Sequence, residues 1–297
     1  MIDVTLEQFE MARRAIQGKA LATPLISLNK KIHGREVYLK AESLQPGGSF
    51  KIRGALYSLS KTTPEQRKNG VVAYSTGNHA QAVAIAANLY NTSATIVMST
   101  DAMPFKIEAT RQLGAEVVLT TTQERKAVAE QLAASRNAIY IPPYDHIDII
   151  TGQGTIGLEI LEAMTPSVVF VPVGGGGLIA GIASAIKQKD KSVTIIGVEP
   201  IEKNSGTIAD AVNIPSLGAL TEPLIQKYVD DMIRVKESEI ASATISSIES
   251  SHLFLEPSGA LALAGALIYP FAKIKAVGPI VCIASGGNTT METLSSF

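Results

Sequence analysis

The apolar positions of this chain change period repeatedly, and each change marks an element. Leu6, Phe9, Ala12 and Ile16 recur at helical spacing behind Thr5 and Gln8, a pair with capping-box separation, and Gly18 follows as a stop. Thr23 and Pro24 open an extended segment, and residues 36–40 alternate as a short strand. A helix is predicted over 50–59, with Ser49 as its N-cap. Strands over 70–74, 94–98, 116–119 and 139–141 then alternate with helices over 80–89, 104–113 and 124–134. Residues 147–164 read as one long helix interrupted near Gly152, Gln153 and Gly154, closed by Pro166. Apolar strands over 167–173 and 193–198 flank a helix over 178–187. Further strands over 232–235 and 279–284 and helices over 237–249 and 259–268 complete the pattern, and 201–218 reads as a flexible surface loop. Strands and helices alternating at these lengths predict an α/β protein with parallel sheets covered on both faces.

Composition narrows the partners. The 297 residues are long enough for two lobes, and 46% apolar against 18% charged is ordinary for a globular chain. A formal net charge of -1 with no basic run argues against nucleic acid or an anionic membrane as partner. No apolar run approaches the ~18 residues a membrane helix needs, and the acidic N-terminal pattern is unlike a secretory signal. Cys282 is the only cysteine, which excludes an internal disulfide and fits a reducing, cytoplasmic setting.

Four loops carry the candidate chemistry. Gly47, Gly48 and Ser49 lead into Lys51, which falls in the first turn of a helix, where a positive field favours a neutral amine. Gly174, Gly175, Gly176 and Gly177 follow an apolar strand without a gap and precede a helix. Such a loop frees backbone N–H groups for an anion such as phosphate, and one tight turn needs fewer glycines than four. No Gly-Lys-Ser/Thr follows, so this is not a Walker loop. Ser75, Thr76, Gly77, Asn78 and His79 offer hydroxyls, an amide and backbone donors at another helix start, with His79 taken alone reading as structural. Ser285, Gly286, Gly287 and Asn288 form a fourth small-residue loop after the last strand.

Together these stretches, with Gly152-Gln-Gly-Thr155 and Glu256-Pro-Ser-Gly259, closely resemble the fold-type II pyridoxal-phosphate enzymes, in the branch of serine/threonine dehydratases and serine racemases. The resemblance spans nearly the whole chain. It implies a tryptophan-synthase-beta-like fold of two open α/β lobes with pyridoxal 5'-phosphate between them. Residues 1–44 plus 145–297 would form the large cofactor-binding domain, and 45–144 a small mobile domain inserted in it. Lys51 would hold the cofactor as a Schiff base and then act on the Cα proton. Phe50, Asn78, Gly174, Gly175, Gly176, Gly177, Leu178, Glu256, Ser285 and Gly286 would bind the cofactor. Ser75, Thr76, Gly77, Asn78 and His79 would bind the amino-acid substrate. Thr76 stands where racemases of this branch carry a catalytic serine, so it is a second catalytic candidate.

The implied reaction is β-elimination of a β-hydroxy amino acid such as L-threonine or L-serine to a 2-oxo acid and ammonia. Alternatives are an amino-acid racemase, or a dehydratase for a hydroxyaspartate or a hydroxyectoine-derived substrate. Ser285 facing the pyridine nitrogen would make a weaker electron sink than a carboxylate would, which favours quick elimination. The divalent-metal site of animal-type racemases would need Glu199 and a second acid near Ser205, so no metal is expected. A homodimer is the default of the family.

Overall fold

The computed structural model describes residues 3–203, 206–274, 276–295 and 297. Among them ten strands form two sheets, β1 (Leu25–Ile32), β2 (Arg35–Ala41), β3 (Val71–Tyr74), β4 (Ala94–Ser99), β5 (Glu116–Thr120), β6 (Ile139–Tyr140), β7 (Val168–Pro172), β8 (Thr194–Pro200), β9 (Asp231–Val235) and β10 (Ile280–Ala284). The helices are α1 (Leu6–Ile16), α2 (Lys51–Ser60), α3 (Pro64–Arg67), α4 (Asn78–Leu89), α5 (Pro104–Gln112), α6 (Arg125–Arg136), α7 (Ile147–Ala163), α8 (Gly177–Lys189), α9 (Thr221–Tyr228), α10 (Glu237–Ser251), α11 (Pro257–Ile268) and α12 (Met291–Ser295).

The larger sheet has the order β1-β2-β10-β7-β8-β9 and the smaller one β5-β4-β3-β6. All pairings are parallel except β1 against β2, whose two strands are joined by a short turn. Strands β7 and β10 are buried at every position, as parallel strands covered on both faces must be. They lie side by side at the centre of the large sheet, so their following loops, 174–177 and 285–288, open next to each other. In open α/β sheets this carboxyl-end crevice is where ligands bind.

Three expectations need correction. Helix α7 is not interrupted at Gly152 and Gly154; it runs unbroken from Ile147 to Ala163, buried from Ile149 to Leu158. Its glycines serve close approach instead of a break: a Cβ on Gly152 would lie 2.7 Å from Gly54 Cα, so α2 and α7 cross backbone against backbone. Ser49 does not cap α2. Its backbone bridges to Gly286, its hydroxyl is buried without a partner among the described residues, and Phe50 occupies the cap position in helical conformation. The segment 201–218 is not a mere surface loop, because Ala209 and Val212 are buried in the core of the large sheet and a 3-10 turn forms at Asp210–Val212. The following helix α9 is only two turns long, with Thr221, Leu224 and Ile225 buried along one face, and the sequence pattern does not predict it.

The N-terminal helix ties the two halves together. Thr5 and Gln8 form the expected capping box, Phe9 packs into the large-sheet core, and Ala12 and Ile16 pack into the small-sheet core. No helix among the described residues is long and apolar enough to cross a membrane.

Candidate active site

Lys51 is the first residue of α2, as the sequence pattern predicts. The loop before it is stitched to the loop after β10: Phe50 N donates to Ser285 O at 3.1 Å, and Gly287 N donates to Gly48 O at 2.9 Å. Gly47 and Gly48 take positive φ angles of 78° and 69°, and a Cβ on Gly48 would lie 2.4 Å from Asn288 Oδ1. The lysine Nζ donates to the Pro143 carbonyl at 2.7 Å and lies 5.1 Å from the Phe50 ring centroid. Burial pulls the Lys51 amine down to about 8, which raises its share of neutral, nucleophilic amine at neutral pH. Burial is the cause of the downward shift at this lysine, in the direction the sequence pattern predicts.

The same end of the molecule gathers the other loops. Ser75, Thr76, Gly77, Asn78 and His79 line a cavity of about 280 Å³ together with Lys51 and Glu256. Phe50, the glycines 174–177, Leu178 and Ser285 line a smaller adjoining space that shares Lys51, Asn78 and Glu256. Asn78 opens α4, donates from Nδ2 to Glu256 Oε1 at 2.5 Å, and accepts at Oδ1 from Asn288 Nδ2 at 2.8 Å. Glu256 is buried, and burial with the nearby Asp210 charge pushes its carboxyl up to about 8. The acid is therefore largely protonated at neutral pH. Ser285 Oγ donates to Ser258 O at 3.3 Å and presents a neutral hydroxyl.

The remaining site candidates fall into place differently. Gly286 does not line either space; it backs Glu256, where a Cβ would meet Oε1 at 2.2 Å. His79 is buried with Nε2 3.0 Å from Ile141 O, and burial pulls its imidazole down to about 3, so it stays neutral. Glu199 is bound to Lys203, while Ser205 lies outside the described residues.

The tetraglycine turn meets a direct test of fit for a phosphate. Gly176 is the N-cap of α8 with a φ of 93°, a left-handed angle that glycine accepts freely. The Gly175 carbonyl is occupied by Thr221 Oγ1 at 2.8 Å, which fixes the turn. The N–H groups of Gly175 and Gly176 are buried yet donate to no acceptor among the described residues. Buried backbone donors without acceptors are costly, and an anion at a helix N-terminus relieves that cost. A neutral-prone lysine, a buried acid–amide pair and a neutral hydroxyl stand beside them. That donor set fits pyridoxal phosphate.

The comparisons agree. Residues 16–286 match the family model described as pyridoxal-phosphate dependent enzyme. The chain belongs to this family. It is 40% identical over 98% of its length to an L-threonine ammonia-lyase of Thermotoga maritima, covering 77% of that protein. It is 39% identical to an L-threo-3-hydroxyaspartate ammonia-lyase of Saccharomyces cerevisiae, with 91% of this chain and 89% of that one aligned. Among solved structures, a serine racemase of Dictyostelium discoideum superposes with a TM-score of 0.91 at 32% identity, over 97% of this chain and 99% of that one. The fold is accordingly fold-type II with two open α/β lobes, as the resemblance implied.

Several wall residues were not anticipated. Pro143 and Tyr144 follow β6 at a strand's carboxyl end, so the same positional rule could have found them. Tyr74 ends β3, Phe105 and Lys106 open the helix after β4, and Arg125 opens the helix after β5, so the same rule covers them, whereas Asp210 reaches the cavity only through the packing of the 201–218 segment.

Proposed function

We propose that this protein is a pyridoxal-phosphate-dependent ammonia-lyase that eliminates the β-hydroxyl of a small amino acid such as L-threonine or L-serine. The observation that carries this reading is that Lys51 and Asn78 line both of two adjoining spaces, one walled by the hydroxyl-rich 75–79 loop and the other by the tetraglycine turn. Lys51 would hold the cofactor as a Schiff base, the N–H groups of the 174–177 turn would hold its phosphate, and Asn78, Glu256 and Ser285 would meet its ring. Phe50 and Leu178 would flank it. When bound, the cofactor supplies an electron sink for breaking a bond at Cα.

The chain's own groups do the rest. Ser75, Thr76 and Asn78, with the backbone of Gly77, would grip the substrate carboxylate, and neutral His79 would support that loop through its bond to Ile141 O. Lys51 Nζ, with its lowered proton affinity, takes the Cα proton. The Cα–H and Cβ–O bonds break, a Cα=Cβ bond forms, and the hydroxyl leaves as water with the proton that Lys51 took from Cα. Hydrolysis of the released enamine consumes one water, so the net products are a 2-oxo acid and ammonia. Ser285, a hydroxyl and not a carboxylate, supports prompt elimination over a long-lived carbanion.

Residues 45–144 would act as a small domain that moves against 1–44 plus 145–297, since the cavity has walls from both. A cytoplasmic homodimer completes the proposal; the buried free thiol of Cys282 suits a reducing compartment. The deciding experiment incubates the cofactor-loaded protein with L-serine and with L-threonine and measures 2-oxo acid and D-amino acid from the same samples. Oxo acid lost in Lys51→Ala supports the reading. D-serine in excess of oxo acid would make Thr76 a second proton donor and the protein a racemase, and turnover retained by Lys51→Ala would remove the lysine from the chemistry.

A further inference from the structure

The cavity holds more positive charge than a threonine or serine substrate requires. Lys51, Lys106 and Arg125 line it, against the carboxylate of Asp210 and the largely protonated acid of Glu256. Lys106, on α5, is ion-paired with Asp210 across the cavity mouth. Glu256 is taken up by Asn78. Arg125, the first residue of α6, is left without a counter-charge: its Nε donates to Thr122 O at 3.1 Å, and no carboxylate lies within ion-pairing distance among the described residues. The residue is half-buried, its charge is opposed by that burial, and the ionisable group that acts on it is the Tyr74 hydroxyl, itself pushed up to about 12 and so neutral.

A partly desolvated guanidinium with a free fork of donors is costly to leave unpaired, and a carboxylate is the group whose geometry matches it. On the reading above, the α-carboxylate of a substrate would be held by the 75–78 loop, which also lines the cavity. A methyl or hydrogen on Cβ, as in threonine or serine, would leave Arg125 unanswered. We propose that Arg125 is a specificity-determining residue that receives a second carboxylate, so that the preferred substrate is a β-hydroxy amino dicarboxylate of the 3-hydroxyaspartate class.

This inference rests on the ammonia-lyase reading above and narrows it. The atoms balance in the same way: water is lost across Cα–Cβ, one water is consumed in hydrolysis, and the products are the four-carbon dicarboxylic 2-oxo acid and ammonia. The lysine-paired Asp210 keeps Lys106 from competing for the same carboxylate.

The test compares kcat/KM for threo-3-hydroxyaspartate and for L-threonine in cofactor-loaded wild type, Arg125→Gln and Arg125→Lys, with succinate binding followed by calorimetry on the same proteins. A charge-assisted bond of this kind corresponds to roughly 10- to 100-fold. The expected result is a wild-type preference for the dicarboxylate that falls by about that factor in Arg125→Gln and recovers in part in Arg125→Lys, with a parallel loss of succinate affinity. A wild-type preference for threonine, or a ratio unchanged in Arg125→Gln, overturns the assignment while leaving the ammonia-lyase reading intact. If no β-hydroxy amino acid is turned over, that reading fails, and the calorimetry still decides the subsite. Succinate bound by wild type and weakened about tenfold or more by Arg125→Gln supports it, and equal or absent binding sinks it.

Discussion

Arg53 stands two residues after Lys51 and anchors its helix in a buried charge network, which makes it the sharpest place to perturb. The guanidinium donates from Nε and Nη2 to Glu42 at 2.7 and 2.8 Å, and from Nη1 and Nη2 to Glu159 at 2.6 and 2.8 Å. Thr155 Oγ1 and Leu21 O each accept a further bond at 3.1 Å. Arg53 is 1% exposed and Glu42 is wholly buried. Lys40 adds a second cation by donating to Glu159 at 2.6 Å, so two cations balance two carboxylates. Replacing Arg53 with Met keeps much of the volume and removes every one of these donors. Glu159 keeps Lys40, whereas Glu42 is left with Thr23 and Gln45 as its direct partners.

Breaking a buried pair in this manner costs roughly 3–5 kcal/mol, because the charge left behind stays desolvated. For a chain of this size that corresponds to a fall in Tm on the order of 10 °C. The pH dependence identifies the cause. Arg53 holds the Glu42 carboxyl below its usual range, so in wild type its stabilisation is present above the unfolded value of ~4.3 and is lost as pH falls through the lower folded one. In Arg53→Met the unpaired, buried Glu42 titrates above ~4.3, and the variant regains stability by protonating as the pH falls. The gap between variant and wild type is therefore widest at neutral pH and closes toward about pH 5. Thermal unfolding across that range, with and without Glu42→Gln in the Arg53→Met background, measures it. The double variant should recover at least half of the loss. A pH-independent gap, or no recovery on removing the Glu42 charge, would refute the argument that an orphaned carboxylate is the cost.

Other outcomes follow from the same geometry. Gly175→Ala would place a Cβ 2.4 to 2.6 Å from three carbons of the Tyr144 ring, so cofactor content after dialysis should drop by about tenfold or more; full retention would show that the turn tolerates a side chain. Imine formation by added pyridoxal phosphate on the apoprotein should rise with pH to a midpoint at about 8, where Lys51 loses its proton. A midpoint near ~10.4, the ordinary lysine value, would mean that burial does not tune the amine. Glu256 has a raised folded pKa, so its contribution to apoprotein stability is present at low pH and lost as pH climbs from the ordinary carboxyl value to about 8. Glu256→Gln keeps an acceptor for Asn78 and should gain on wild type over that window; a constant difference across it would leave Glu256 ionised in the fold.

Much of the fold was legible because its signals are local. Capping of α1 by Thr5 and Gln8, the apolar runs of β7 and β10, and the glycine turn between β7 and α8 depend on residues within a few positions of each other. Lys51 at the start of a helix is legible for the same reason. Where tertiary contacts compete with local preference, the sequence reading fails. Ser49 is a good cap by residue type, yet strand-like pairing with Gly286, more than two hundred residues away, takes its backbone out of the cap position. Gly152 and Gly154 should weaken α7 by propensity, yet the close crossing they permit with α2 and α8 stabilises the helix they would otherwise break.

The sequence by itself therefore determined the alternation of elements and the residue types at the strand ends, since backbone sterics and side-chain periodicity act over short distances. Which ends meet was decided only by the tertiary structure. The Asn288–Asn78–Glu256 chain and the Lys51 bond to Pro143 join segments far apart in the chain, and the cavity wall brings Arg125 to the same place. Those contacts form because burying both sheets' helices closes the two lobes on one another, and no pattern within a single segment encodes that closure.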